Sequence, residues 1–149
     1  MNASIHRNQM PNDQKFHSSI MNCQASVSVM LDEVRKWLAQ ENVCSSKITD
    51  IQIVLAEALN NVIEHGFSCE NSGNVVVCID MQDDIIVVEI SDNGIEFTPP
   101  VAAQTPLQDT CDIEHLPEGG FGWFLIREIT TSFTFHRVAN KNRLVLNFQ

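Results

Sequence analysis

Residues 55–67 read LAEALNNVIEHGF. At roughly 100° per residue, Glu57, Asn60, Asn61 and Glu64 fall on one face of a helix. Leu55, Ala58, Leu59, Val62 and Ile63 fill the other. Glu57 and Asn61 are one turn apart, so both can reach one small site. An asparagine amide oxygen is a hard ligand suited to Mg²⁺. A neighbouring glutamate can orient or deprotonate a hydroxyl or a water. Taken alone, the segment also fits an ordinary amphipathic helix with a solvated polar face.

Working outward, this helix is expected over Lys47 to His65, with Ser45 and Ser46 as N-cap candidates and Gly66 as its stop. Upstream, Val27, Met30, Leu31, Val34, Trp37 and Leu38 recur at helical spacing, which predicts a helix over Ala25 to Gln40. Phe16 to Met21 fits a short first strand, and residues 1–15 read as a flexible leader. Downstream the period changes. Asn74 to Met81 and Ile85 to Ser91 are rich in Val and Ile and flank Gln82-Asp83-Asp84, a hairpin pattern. Thr98 to Glu118 has no period and is broken by Pro99, Pro100, Pro106 and Pro117. A stretch of that length is usually a lid, a binding loop or disorder. Gly119-Gly120-Phe121-Gly122 then opens a helix from Trp123 to about Thr130. Strands Ser132 to Arg137 and Arg143 to Phe148 flank the turn Ala139 to Asn142. Strands in runs and helices in runs predict an α+β domain over 16–149. Its helices lie on one face of a mixed, largely antiparallel sheet.

Composition fits one domain. The 149 residues are 44% hydrophobic, enough for a core without disulfide or metal staples. No apolar run approaches the roughly 20 residues that span a bilayer. Met1 to Lys15 lacks an apolar signal-peptide core. The expectation is a cytoplasmic protein with no membrane contact. Cys23, Cys44, Cys69, Cys78 and Cys111 show no CxxC pair, which speaks for reduced thiols. The formal charge of −10 repels nucleic-acid backbones, so no direct nucleic-acid partner is expected. A nucleoside triphosphate on such a chain calls for a divalent cation and backbone N–H groups.

Two further constellations bear on that. Asp92 follows the strand VVEIS, where its carboxylate can accept from the exocyclic amine of adenine. Gly94 permits a left-handed turn and close backbone approach to a ligand. A plain Asp-Asn-Gly turn would look the same. Gly120 and Gly122 stand at a helix start, where exposed N–H groups receive anions, although a flexible helix start is the simpler reading of a lone GxG.

Taken in order, the three segments resemble the GHKL ATP-binding superfamily. More narrowly, they resemble the bacterial anti-sigma factor serine kinases of the stress-response and sporulation type. LAEALNNVIEHGF looks like the N-box, SDNGIEFTPP like the first glycine box, and LPEGGFGWFLIREITTSFTF with NRLVLNF like the second glycine box, its helix and the closing hairpin. The resemblance implies a two-layer Bergerat sandwich binding ATP and Mg²⁺. Asn61 would be the Mg²⁺ ligand and Glu57 the general base toward a serine hydroxyl. Asp92 and Gly94 would hold adenine, and Gly120, Phe121 and Gly122 would meet the phosphates. The lid would span about 98–118. The implied partners are a STAS-domain anti-anti-sigma protein, phosphorylated on serine, a sigma factor held in an alternate complex, and a second copy in a homodimer.

Glu96 stands where many superfamily members have a glycine, a departure frequent in the anti-sigma kinase group. Residues 85–126 contain no lysine or arginine. Charge neutralisation then falls on Mg²⁺ and backbone amides, or on Arg127 and a partner. A non-catalytic, ATP-responsive binding switch with the same fold is therefore the alternative. His65 is expected to pack or cap, and Trp37 and Trp123 to belong to the core.

Overall fold

A computed structural model describes residues 15–68, 72–99 and 120–149. The expected leader, apart from Lys15, lies outside these residues. So do most of the expected lid, Cys69 and Cys111.

The chain runs β1 (Lys15–Met21), α1 (Gln24–Gln40), α2 (Ser45–Gly66), β2 (Asn74–Gln82), β3 (Ile85–Asp92), α3 (Gly120–Ile129), β4 (Ser132–Val138) and β5 (Lys141–Phe148). The strands form one sheet in the order β1-β2-β3-β5-β4. Every ladder in it is antiparallel, so among the described strands the sheet is not mixed. The β2–β3 turn is Asp83-Asp84, with Gln82 already paired to Ile85. The β4–β5 turn is only Ala139-Asn140, with φ of 51° and 61°. Asn142, expected in that turn, belongs to β5 and pairs with Arg137.

Period-2 alternation places the core. Val75, Val77 and Ile79 of β2, Ile86, Val88 and Ile90 of β3, and Leu144, Leu146 and Phe148 of β5 are buried. They meet Val27, Met30, Val34 and Leu38 of α1, Ile51, Leu55, Ala58 and Leu59 of α2, and Trp123 and Ile126 of α3 in one cluster. Trp37 packs on Phe16 at 5.7 Å and Trp123 on Phe133 at 5.9 Å, the core roles expected of both. The N-cap expectation is corrected: Cys44 holds that position and makes no side-chain cap, while Ser45 and Ser46 lie inside the helix.

Two consequences position the site. Helix α2 packs against α1 on one side and α3 on the other. Its last residue, Gly66, ends beside the turn that follows β3, where the Ile95 N–H donates to the Gly66 carbonyl at 2.8 Å.

Candidate nucleotide site

The predicted polar face of α2 divides. Asn60 and Glu64 are exposed, Glu57 is half-buried and Asn61 is buried. The reason is α3. A Cβ on Gly122 would lie 2.6 Å from Glu57 Oε2 and 3.5 Å from Asn61 Nδ2. With glycine there, the first turn of α3 comes this close to the α2 pair without displacing the Glu57 carboxylate. The first and second expected phosphate contacts, Gly120 and Gly122, are both buried in that turn. Phe121 between them turns outward: it is 54% exposed, and its ring stacks on Phe124 at 6.2 Å.

The Asn61 amide nitrogen is buried and has no hydrogen-bond partner among the described residues. An unmade hydrogen bond of this kind costs about 1–3 kcal/mol. Such a group calls for a partner beyond the described protein atoms: a water, an ion or a ligand. Half a turn of the amide exchanges its oxygen for its nitrogen, so the same side chain can present an oxygen to a cation. Among the described residues no group of three or more His, Cys, Asp or Glu is gathered for a metal. Mg²⁺ fits nonetheless, because it keeps several waters and substrate phosphates and needs few protein ligands.

The second half of the site lies about one and a half helical turns away. Asn61 and Gly66 are five residues apart on α2, about 7.5 Å along its axis. Here Asp92, 3% exposed, ends β3. Its Oδ1 accepts from the Gly94 N–H at 2.8 Å and from Asn142 Nδ2 at 2.9 Å. Burial pushes the Asp92 carboxyl above its ordinary value, opposed by the Gly94 N–H, by Asn142 and by the Arg137 charge. Gly94 does not take the expected left-handed φ. What requires glycine is contact with protein: a Cβ there would lie 2.2 Å from the Gly66 carbonyl oxygen. A cavity of about 390 Å³ opens beside this turn, lined by Gly66, Phe67, Ser72, Asn93, Gly94, Ile95 and Arg137. A larger one, about 790 Å³, runs along β4 and touches none of Glu57, Asn61 and Asp92. His65 is exposed and sits 6.2 Å from the Phe97 ring, a packing role.

Two residues here were not foreseen. Asn142 is fully buried, and Arg137 reaches it from β4. The signal that could have found them is strand phase. Arg137 alternates with Phe133 and Phe135, and Asn142 with Leu144, Leu146 and Phe148, so both face inward.

Comparison with known proteins bears on the family and the fold. The family model described as "Histidine kinase-like ATPase domain" matches residues 21–148. A serine-protein kinase, RsbW, of Bacillus cereus (strain AH187) is 29% identical over 84 residues, which are 55% of this chain and 52% of the relative. The chain thus aligns with about half the length of that kinase. An anti-sigma F factor of Clostridium perfringens (strain SM101 / Type A) is 26% identical over 113 residues, 76% of this chain and 79% of the relative. The crystal structure of the RsbU and RsbW domains of a Mycobacterium tuberculosis protein superposes with a TM-score of 0.65 at 18% identity. It covers 91% of this chain and 32% of the other, and shows the shared fold.

Proposed function

The chain belongs to the histidine kinase-like ATPase domain family, and from that premise we propose that it is an anti-sigma serine kinase using ATP and Mg²⁺. Its substrate would be a serine of a STAS-type anti-anti-sigma protein. In an alternate complex it would hold a sigma factor inactive, in the cytoplasm and as a homodimer. The names of two relatives, a serine-protein kinase and an anti-sigma factor, support this reading. The observation that carries it is the meeting of Glu57, Asn61 and Gly122 around an amide with no described partner.

Mg²⁺, held by Asn61, would offset the charge of the triphosphate. Glu57 would take the proton of the attacking serine hydroxyl. Backbone N–H groups from Gly120 to Gly122 would receive phosphate oxygens at the start of α3. Asp92 would accept from the adenine amine. Phosphoryl transfer depends mainly on positioning and charge stabilisation, and this set of groups suffices for the first. The absence of lysine and arginine from 85–126 favours one alternative, a non-catalytic ATP-responsive switch.

The test has two stages. Calorimetry should show Mg²⁺-dependent ATP binding that Asn61→Ala abolishes. Phosphate transfer to a STAS-domain protein should then depend on Glu57, so that Glu57→Ala binds ATP and transfers nothing. Transfer undiminished in Glu57→Ala removes the general base. No transfer by a wild type that binds ATP leaves the switch.

A further inference from the structure

The base end of the site contains a polar relay that spans three strands. Asn142 of β5 spends its whole amide on it. Nδ2 donates to Asp92 Oδ1 at 2.9 Å and to the Ile95 carbonyl at 2.7 Å. Its Oδ1 accepts from Arg137 Nη1 at 2.8 Å. The same Nη1 donates to the Gly94 carbonyl at 3.0 Å. Arg137 therefore grips the turn after β3 directly and grips Asp92 through Asn142. The carboxylate is left asymmetric. Oδ1 receives two donors, from Gly94 and Asn142, while no described hydrogen bond ends on Oδ2.

An inward-facing asparagine and arginine are costly in a core unless fully bonded. Both stand among aromatic and aliphatic neighbours on the same strand face, where apolar residues would close the sheet more simply. Their bonds all converge on Asp92 and on the two residues that follow Asn93. We propose that Asn142 and Arg137 are positioning residues of the base subsite: they engage Asp92 Oδ1 so that Oδ2 alone is presented to an exocyclic amine. This rests on the nucleotide reading given above and assigns that pocket two residues to which the sequence resemblance gave no site role.

The charges around Asp92 are few. Arg137 approaches from β4 and, among the described residues, is the charged side chain that acts on the carboxyl. His65 of α2 turns its ring to Phe97. Glu96, two residues after Gly94, is exposed. The relay also opposes the effect of burial. The Asn142 donor and the Arg137 charge both favour the ionised carboxylate, and only that form leaves Oδ2 an acceptor.

The test is calorimetric titration of the whole chain with Mg²⁺ and either of two ligands. One is ATP. The other is purine riboside triphosphate, which is ATP without its exocyclic amine. The variants are Asn142→Leu and Arg137→Met, with nucleotide-free melting as a control. Arg137→Met acts on a half-buried side chain of an edge strand, so it stays informative if Asn142→Leu fails to fold. In the wild type, loss of the amine should weaken binding about tenfold or more. In the variants ATP itself should bind about tenfold more weakly. The further loss on removing the amine should shrink to about twofold, a coupling that a purely structural role does not produce. On acidification from about pH 8 to about pH 5, ATP affinity should fall at a higher pH in Arg137→Met than in the wild type. Unchanged ATP affinity, or equal weakening of both ligands, overturns the assignment and leaves the nucleotide reading intact. A wild type that binds no ATP overturns both.

Discussion

The two halves of the site follow opposite rules. At the Asp92 end, each polar side chain named is bonded to protein: Asn142 spends its whole amide, Arg137 bridges two acceptors and Oδ1 of Asp92 is doubly engaged. At the Glu57 end, Asn61 carries a buried amide nitrogen with no described partner, and a glutamate leans on a glycine. One end is built before any ligand arrives. On the proposed reading, the other is completed by what it binds. If these are the proposed base and phosphate subsites, a rigid base subsite can select a ligand, whereas an incomplete phosphate subsite can respond to one. The difference also appears in the glycines. Gly94 is pressed by backbone, the Gly66 carbonyl, and Gly122 by the far end of a flexible side chain, Glu57.

The same substitution should therefore have different consequences at the two ends. Gly94→Ala places a Cβ 2.2 Å from the Gly66 carbonyl oxygen, and neither backbone can yield cheaply. Overpacking of this kind costs about 3 kcal/mol. In a domain of this size the melting temperature should fall by about 6–12 °C. A loss below about 3 °C would show that the Asp92 end is softer than its hydrogen bonds suggest.

Next in size is Asp92→Asn, read by ATP calorimetry and by melting without nucleotide. An amide can still accept from Gly94 and Asn142 through its oxygen, but it offers an N–H where the amine of the base needs an acceptor. Affinity should fall about a hundredfold. Stability should move the other way. Burial raises the Asp92 carboxyl above its ordinary value, so the folded state holds this proton more tightly than the unfolded state. That favourable contribution is complete below the unfolded value and is lost as pH rises through the folded one. At neutral pH the wild type carries the cost of a buried charge, and Asp92→Asn does not. The variant should melt at or above the wild-type temperature while binding less. If it melts well below, the carboxylate is structural and the base reading loses its support.

How much of this was legible in the sequence depends on how local the cause is. Glu57 and Asn61 were readable as a pair because a helix puts residues four apart on one face. Gly122 was readable as a helix start, but not as the space that Glu57 enters, since that contact joins residues 65 positions apart. The reason for Gly94 was misplaced. A left-handed turn was expected, and the actual cause is the end of α2 arriving beside β3. Asn142 was assigned to a turn because a loop of four residues was expected where the chain makes two. Asn140, in left-handed conformation with Ala139, closes that turn and frees Asn142 for the inward face of β5. Arg137 stayed invisible for a related reason. An arginine near a strand end reads as solvent-facing unless its phase with Phe133 and Phe135 is followed.

Gly122→Ala tests the other end. The atom that would meet the new Cβ at 2.6 Å is Glu57 Oε2, and a carboxylate can swing aside. Stability should change by less than about 1 kcal/mol, an effect of the order expected where a neighbour can give way. The displaced Glu57 and the pushed turn of α3 should cost about tenfold in phosphate transfer or, if the chain only binds, in ATP affinity. Melting far below the wild type would mean the Glu57 end is as rigid as the Asp92 end, and the contrast would fail.

The smallest effect is the most direct reading of an unfinished site. Asn61 is 7% exposed and its amide nitrogen lacks a described partner, so the side chain carries a desolvation cost with no described bond to offset it. Asn61→Leu removes that cost and keeps the branched shape, with methyl groups in place of the amide atoms. It should therefore raise stability without nucleotide by about 1 kcal/mol, or about 2–4 °C in melting temperature. With ATP and Mg²⁺ present the order should invert, because ligand binding stabilises only the chain that can bind, by about 2.7 kcal/mol at a hundred times its Kd. Crossing melting curves would show a residue kept at the expense of the empty fold. If Asn61→Leu melts lower in both conditions, the amide is already bonded in solution, and the Glu57 end is as complete as the other.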